Sequence, residues 1–254
     1  MNKWILPSDW KHANITAIYK KGPRTEATNY RPISLTSIPC KILEHIIYHQ
    51  IMSHLDDNNI LVDYQHGFRK GRSCETQLIS AIEDLARSLN KRNRTDMLIL
   101  DFSKAFDTVA HNCLLLKLNY YGIRGTNLTW VQSWLTNRTQ QVLLEGKNSR
   151  KTVVRSGVPQ WTVLGPLCFL LFINDIGNGI CSTLKLFADD TLLYGLVHCN
   201  QDAIQLQEDL DKLTVWAQTW QMIFHPSKCY VLRINRSRQP IMHNYTMSGY
   251  TLQF

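Results

Sequence analysis

The chain has 254 residues, 44% of them hydrophobic, and a formal net charge of +8 with a pI near 9.1. That composition builds a real apolar core and excludes a disordered tail or a fibrous protein. The excess of Lys and Arg favours a polyanionic partner, nucleic acid or an anionic membrane surface. In chain order, a first helix is expected from the apolar spacing Leu43, Ile46, Ile47, Ile51, Met52 and Leu55, with Ser37 as its cap and Asp56 to Asn59 as its end. A second helix is expected to bury Leu78, Ile79, Ile82, Leu85, Ala86 and Leu89 on one side. Met97 to Leu100 reads as an apolar strand closed by Asp101. Gln140 to Leu144 and Lys151 to Val154 flank Gly146-Lys147-Asn148 and predict a hairpin. Thr183 to Phe187 and Thr191 to Tyr194 predict a second hairpin with Ala188-Asp189-Asp190 between them. A third helix places Leu206, Leu210, Leu213, Ala217 and Trp220 on one face, with Asp202 near its start. Cys229 to Ile234 gives a last strand. Helices on one face of a small, mostly antiparallel sheet make an α+β fold.

The seven cysteines are scattered, with no C-x-x-C pair, so reduced and mostly buried thiols are expected rather than a zinc module or a disulfide framework. His45 and His49 lie one helical turn apart without an H-E-x-x-H pattern and read as ordinary helix residues. The most apolar run, Val163 to Ile173, is too short to span a bilayer, so no membrane partner is expected.

The acids are the informative feature. Asp101 closes one apolar strand, and Asp189 and Asp190 occupy the turn between two others. Asp-Asp in a turn is common, because Asp bonds its own backbone there. Grouped carboxylates repel, however, and a divalent cation removes that cost. Two such ions suit phosphoryl transfer, one activating the attacking hydroxyl and the other neutralising the triphosphate.

The motifs around these acids come in a recognisable order. Leu100-Asp101-Phe102-Ser103-Lys104-Ala105-Phe106-Asp107 resembles motif A of reverse transcriptases, and Phe187-Ala188-Asp189-Asp190 resembles their motif C in the form found in non-LTR retrotransposons. Ser156-Gly157-Val158-Pro159-Gln160, followed by Leu164-Gly165-Pro166-Leu167, resembles motif B. Asn29 to Leu35 and Gln65-His66-Gly67-Phe68-Arg69 resemble the upstream blocks. Taken in order, the set is similar to the reverse transcriptase domain of jockey-like LINE elements.

That resemblance implies a right-hand polymerase with fingers over 10–95 and 115–155 and a palm over 96–114 and 156–235. Its antiparallel palm sheet would be backed by helices. Residues 236–254 would start a truncated connection to a thumb that is largely absent. It implies an RNA-directed DNA polymerase using an RNA template, a DNA primer and dNTPs, in the nucleus or cytoplasm. Two Mg²⁺ ions, replaceable by Mn²⁺, would be bridged by Asp101 and Asp189 and completed by Asp190 and the Phe102 carbonyl. Lys20, Lys21 and Arg31 would grip the triphosphate, Phe106 would exclude a ribose 2′-OH, and Gln160 would lie under the nascent base pair. Arg69, Lys70 and Arg72 would meet template phosphates. Lys228 would protonate the leaving pyrophosphate, ahead of a primer-grip strand.

Two departures from the family pattern stand out. Trp161 follows Gln160 where Gly is usual, placing an indole where the template–nucleotide pair would sit, and His225 replaces the usual Asn after Phe224. With the short C-terminus, they motivate an alternative, a catalytically impaired remnant that keeps the fold and binds nucleic acid. A metal-dependent nuclease on the same acids would not need the upstream blocks.

Overall fold

The computed structural model describes residues 6–236 and 241–254. Among the described residues, seven α-helices run in order as α1 (Ile38–Asp57), α2 (Cys74–Asn90), α3 (Ala105–Thr108), α4 (His111–Tyr120), α5 (Gly125–Leu135), α6 (Leu164–Ile173) and α7 (Asn200–Thr219). The strands are β1 (His12–Tyr19), β2 (Tyr30–Leu35), β3 (Thr95–Leu100), β4 (Arg138–Leu144), β5 (Lys147–Asn148), β6 (Thr152–Val154), β7 (Thr183–Phe187), β8 (Asp190–Leu196), β9 (Tyr230–Ile234), β10 (Thr246–Met247) and β11 (Tyr250–Thr251). Two compact units result. One takes the described residues through Ile60 together with Phe106–Phe172, and the other takes Leu61–Ala105 with Ile173–Phe254.

The first unit is built on a sheet in the order β2-β1-β4-β5, with β6 also paired to β4. β1 and β4 are parallel, and the other pairs are antiparallel. The expected hairpin is present as β4 paired to β6, but Lys147 and Asn148, expected in its turn, form β5 instead. Leu144 pairs with Lys147 across Glu145-Gly146, whose φ values of 49° and 76° make the primed turn that matches strand twist.

α6 is apolar along its whole length, and Leu164 and Phe169 to Ile173 are almost wholly buried. A buried helix must still satisfy its ends. At the N-terminus, fully buried Glu44 of α1 accepts from the Val163 and Leu164 amides through Oε2, at 2.9 and 3.2 Å. Its Oε1 accepts from the Trp134 indole at 3.1 Å and from the Cys40 thiol at 3.7 Å. At the C-terminus, buried Lys117 donates to the Phe172 carbonyl at 2.6 Å. Anion at the N-terminus and cation at the C-terminus both complement the helix dipole.

Around Glu44, α1 turns Cys40, Glu44, Ile47, Ile51 and Leu55 inward. Of the face expected from sequence, Ile47, Ile51 and Leu55 are buried, whereas Ile46 is 52% exposed. Ser37 does occupy the N-cap position but makes no side-chain capping bond. His45 and His49 are exposed on this helix.

The second unit carries a four-stranded antiparallel sheet in the order β7-β8-β3-β9. α7 packs on it through Ala203, Leu206, Leu210, Leu213 and Ala217, as its periodicity predicts. The Asp202 carboxylate accepts from the His198 and Cys199 amides at its start. The α2 expectation fails. Gln77, Ala81 and Ser88 are its buried residues, and Leu78, Ile79 and Ile82 are more than half exposed. Polar contacts set that rotation. Lys185 of β7 reaches Asp84 at 3.0 Å, the Tyr194 hydroxyl donates to Asp84 at 2.6 Å, and Ser88 and Thr95 hydroxyls bond at 2.7 Å.

Residues 241–254 fold back onto the same unit. The Tyr245 hydroxyl donates to Asp96 Oδ2 at 2.8 Å, inside a buried cluster where Arg94 clamps the same carboxylate with two bonds of 2.9 and 3.0 Å. The Val231 amide donates to the Gln253 carbonyl at 2.7 Å. Of the 236–254 segment expected to lead toward a thumb, 237–240 lie outside the described residues.

Of the seven cysteines, only Cys40, Cys168 and Cys229 are buried, fewer than expected. Burial pushes the Cys40 and Cys168 thiols up to about 12.

Candidate functional site

The palm-like sheet of the second unit brings the acids together by register. β3 pairs with β8 through Leu98↔Leu193, Ile99↔Leu192 and Leu100↔Thr191. Asp101 therefore leaves its strand beside the turn that carries Asp189 and Asp190. That turn joins Phe187 to Asp190 across Ala188 and Asp189, with Ala188 left-handed at φ 53°. Asp101 and Asp189 are half-buried, and Asp190 is exposed.

The backbone of Asp101 is fixed on both sides. Its carbonyl accepts from the His225 amide at 2.8 Å, and its amide points at the Cys229 sulfur, 3.5 Å away. Burial raises the Cys229 thiol. Lys228 Nζ stands 3.1 Å from Asp101 Oδ2. Phe102 turns inward, 2% exposed, stacked on Phe224 at 4.0 Å. The Ser103 amide donates to the Ile223 carbonyl at 2.7 Å. The segment 223–229 thus cradles the end of β3.

These groups fit a hard divalent cation in kind, because carboxylate and carbonyl oxygens are what Mg²⁺ takes. Their backbones are already adjacent, and Lys228 shows that the Asp101 carboxylate attracts a cation. As the side chains stand, no group of three or more His, Cys, Asp or Glu residues among those described is gathered to hold an ion. Asp101 is directed to Lys228 instead, so an ion would require side-chain rotation while the strands stay in place.

The block around Gly67 is the part of the site whose role the sequence did not reveal. The His66 amide donates to the Leu186 carbonyl at 2.7 Å, and the Leu186 amide to the Tyr64 carbonyl at 2.8 Å. Arg69 Nη1 donates to the Val62 carbonyl at 2.6 Å, and Arg72 Nη2 pairs with Asp63 at 2.7 Å. Both arginines therefore brace their own loop, while Lys70 is exposed.

In the first unit, the expected triphosphate residues lie on β2 and in the loop that joins β1 to it. Lys20, Lys21 and Arg31 are all exposed, with Ile18 paired to Arg31 and Tyr19 to Tyr30. The loop between them is shaped by Tyr19 donating to the Gly22 carbonyl at 2.6 Å and Tyr30 to the Arg24 carbonyl at 2.8 Å. Arg24, over the Tyr19 ring at 4.9 Å, adds a cation that the sequence reading omitted.

The motif B region is held to α3 and its neighbours. The Val158 amide donates to the Phe106 carbonyl and the Gly157 amide to the Val109 carbonyl, both at 2.8 Å. Gly157 has φ +85°, and a Cβ there would fall 2.7 Å from the Asp107 carbonyl oxygen, so glycine is required. Phe106 is half-buried and stacks on Phe169 at 4.4 Å. Gln160 donates to Asp107 Oδ1 at 2.9 Å.

Trp161 is 59% exposed and has φ +65°. The left-handed backbone gives a second reason for glycine at this position, besides the indole's volume. A non-glycine residue there costs about 1–2 kcal/mol. Trp161→Gly should therefore raise the melting temperature by roughly 2–4 °C, read by differential scanning calorimetry. An unchanged or lower value would mean that the indole's contacts offset the strain.

A palm-like antiparallel sheet with acids at a strand end and a hairpin tip defines a nucleotidyl-transfer polymerase architecture, and the comparisons agree. The family model for reverse transcriptase (RNA-dependent DNA polymerase) matches residues 18–252, and the chain belongs to that family. Within it, this is a LINE-type, non-LTR retrotransposon reverse transcriptase domain. A probable RNA-directed DNA polymerase from transposon BS of Drosophila melanogaster is 32% identical, covering 90% of this chain and 27% of the relative. The RNA-directed DNA polymerase from mobile element jockey of the same organism is 30% identical, covering 88% and 25%. The chain thus spans about a quarter of the length of these curated relatives. Among solved structures, apo telomerase from Candida tropicalis, truncated from its C-terminal domain, superposes with a TM-score of 0.66 at 11% identity. That match covers 97% of this chain and 54% of the telomerase and reports the shared fold. No helix among the described residues is long and apolar enough to cross a membrane.

Proposed function

We propose that this chain extends a DNA primer 3′-OH on an RNA template, taking dNTPs as substrate. The single observation that carries this reading is the β3–β8 register, which sets Asp101 beside the turn of Asp189 and Asp190. Family membership supports it and does not favour the remnant. Nucleic-acid and nucleotide partners are general to the family, and so is its use of divalent metal. The finer assignment is ours: Asp101, Asp189, Asp190 and the Phe102 carbonyl hold two Mg²⁺ ions. When bound, the ions supply charge neutralisation for the triphosphate and an activated hydroxyl.

The protein's own groups do the rest. Lys20, Lys21 and Arg31 bind the triphosphate, Arg31 through its planar fork and the lysines as mobile point charges. Phe106, stiffened by its stack on Phe169, excludes a ribose 2′-OH. Gln160, held by Asp107, supports the nascent base pair. Lys228 exchanges its contact with Asp101 for the leaving pyrophosphate and gives it a proton. Arg69, Lys70 and Arg72 border the template, with Lys70 the exposed cation of the three. Fingers lie mainly over 10–95 and 115–155, and the palm mainly over 96–114 and 156–235.

The test is primer extension by the purified chain on poly(rA)/oligo(dT) with dTTP and Mg²⁺ or Mn²⁺. Template-dependent extension is expected. A folded chain that extends no primer with either metal, and gains no activity as Trp161→Gly, overturns the proposal.

A further inference from the structure

We propose that Gln65 is a positioning residue that aims the metal-binding turn, clamping the peptide immediately before Asp189. This inference rests on the reading of Asp189 as a metal ligand.

Gln65 is 3% exposed and lies far from the acids in sequence. Its side-chain amide meets both polar groups of one residue, Ala188. Oε1 accepts from the Ala188 amide at 3.0 Å, and Nε2 donates to the Ala188 carbonyl at 3.4 Å. The same Oε1 accepts from the Gly67 amide at 2.7 Å. The clamp is anchored by the parallel bridge Gln65↔Leu186, which ties the loop to the edge of β7. Gly67 lets the loop approach, since a Cβ there would fall 2.3 Å from the Ala188 nitrogen.

The clamped residue is the one that needs holding. Ala188 is left-handed at φ 53° without being glycine, a conformation that persists where its surroundings over-determine it. A rotation of that peptide swings Asp189, and metal ligands must be held within about 0.5 Å of their productive geometry. Ordinary turn chemistry would leave the Ala188 amide at a hairpin tip facing water. Here it is directed into a buried side chain, with Ala188 only 5% exposed. The Gln-His-Gly order follows: Gln supplies the clamp, His66 the backbone link to Leu186, and Gly67 the room.

Outer groups that orient metal ligands typically change metal affinity by about 10- to 100-fold when removed. Mn²⁺ binding, followed by electron paramagnetic resonance without substrate, should weaken by about that factor in Gln65→Ala. Gln65→Glu keeps the acceptor for the Ala188 and Gly67 amides but loses the donor to the Ala188 carbonyl, so it should also weaken Mn²⁺ binding, by less than Gln65→Ala does. The Ala188 amide of the wild type should exchange slowly with deuterium, which a free hairpin tip would not. If Asp189→Asn loses Mn²⁺ while a folded Gln65→Ala keeps it, the clamp is refuted and the metal site stands. If Asp189→Asn also binds as the wild type does, the metal site itself fails and takes the clamp with it. Should Gln65→Ala not fold, the wild-type exchange experiment decides, and rapid exchange at Ala188 overturns the proposal.

Discussion

Asp189→Asn should lower primer extension by about 1000-fold or more while leaving the protein folded. The substitution removes one negative charge and almost no volume, and Asn suits a turn as well as Asp does. The melting temperature should therefore move little, since Asn keeps the volume and the turn preference at this half-buried position. Losing a carboxylate that would hold the catalytic ions costs several kcal/mol of transition-state stabilisation, and each 1.36 kcal/mol is about tenfold in rate. The measurement is single-turnover dTTP incorporation, with circular dichroism to confirm folding. Extension at a rate comparable to the wild type would show that Asp189 does not carry the chemistry.

The largest expected effect on stability lies away from the acids, at Glu44. Its carboxylate, itself fully buried, serves the Trp134 indole and the Val163 and Leu164 amides. Glu44→Ala would leave all three donors without an acceptor, at about 1–3 kcal/mol each before relaxation. It would also remove the negative charge near buried Arg138, whose Nη2 already lacks a hydrogen-bond partner. Breaking such a buried arrangement typically costs about 3–5 kcal/mol, so a fall of roughly 10 °C in melting temperature is expected. Glu44→Gln keeps one oxygen but turns an NH₂ toward donors, and should fall between the two. Urea unfolding checks both variants. A midpoint for Glu44→Ala equal to that of the wild type would mean that water replaces the carboxylate and that α6 does not depend on it.

Glu44 and Gln65 also mark where the sequence stops being readable. Both answer to partners more than a hundred residues away. Nothing in local spacing announces such a pairing. The acids were legible because motif order carries them, β3 because it is an apolar run, the two hairpins because turn residues separate their strands, and α7 because one of its faces is regularly apolar. The same logic misled at α2. Its apolar stripe predicts the buried side, but the sheet offers it Lys185 and Tyr194, and the helix turns Asp84 toward them. α6 carried no periodic signal because every side of it is buried. At Trp161 the residue type suggested a problem of volume, whereas a backbone dihedral, invisible in sequence, adds a problem of conformation.

The sheet order β7-β8-β3-β9 also bears on how the protein is made. β3, the strand that ends at Asp101, has both of its neighbours in later sequence, at residues 190–196 and 230–234. On a ribosome adding about 5–20 residues per second, that strand waits for seconds with two open edges and an apolar sequence. Strands in that state are the ones that chaperones bind and that pair wrongly with other chains. Slow translation between residues 101 and 190 would lengthen the wait, so codon choice in that interval should govern how much of the polypeptide reaches the native state.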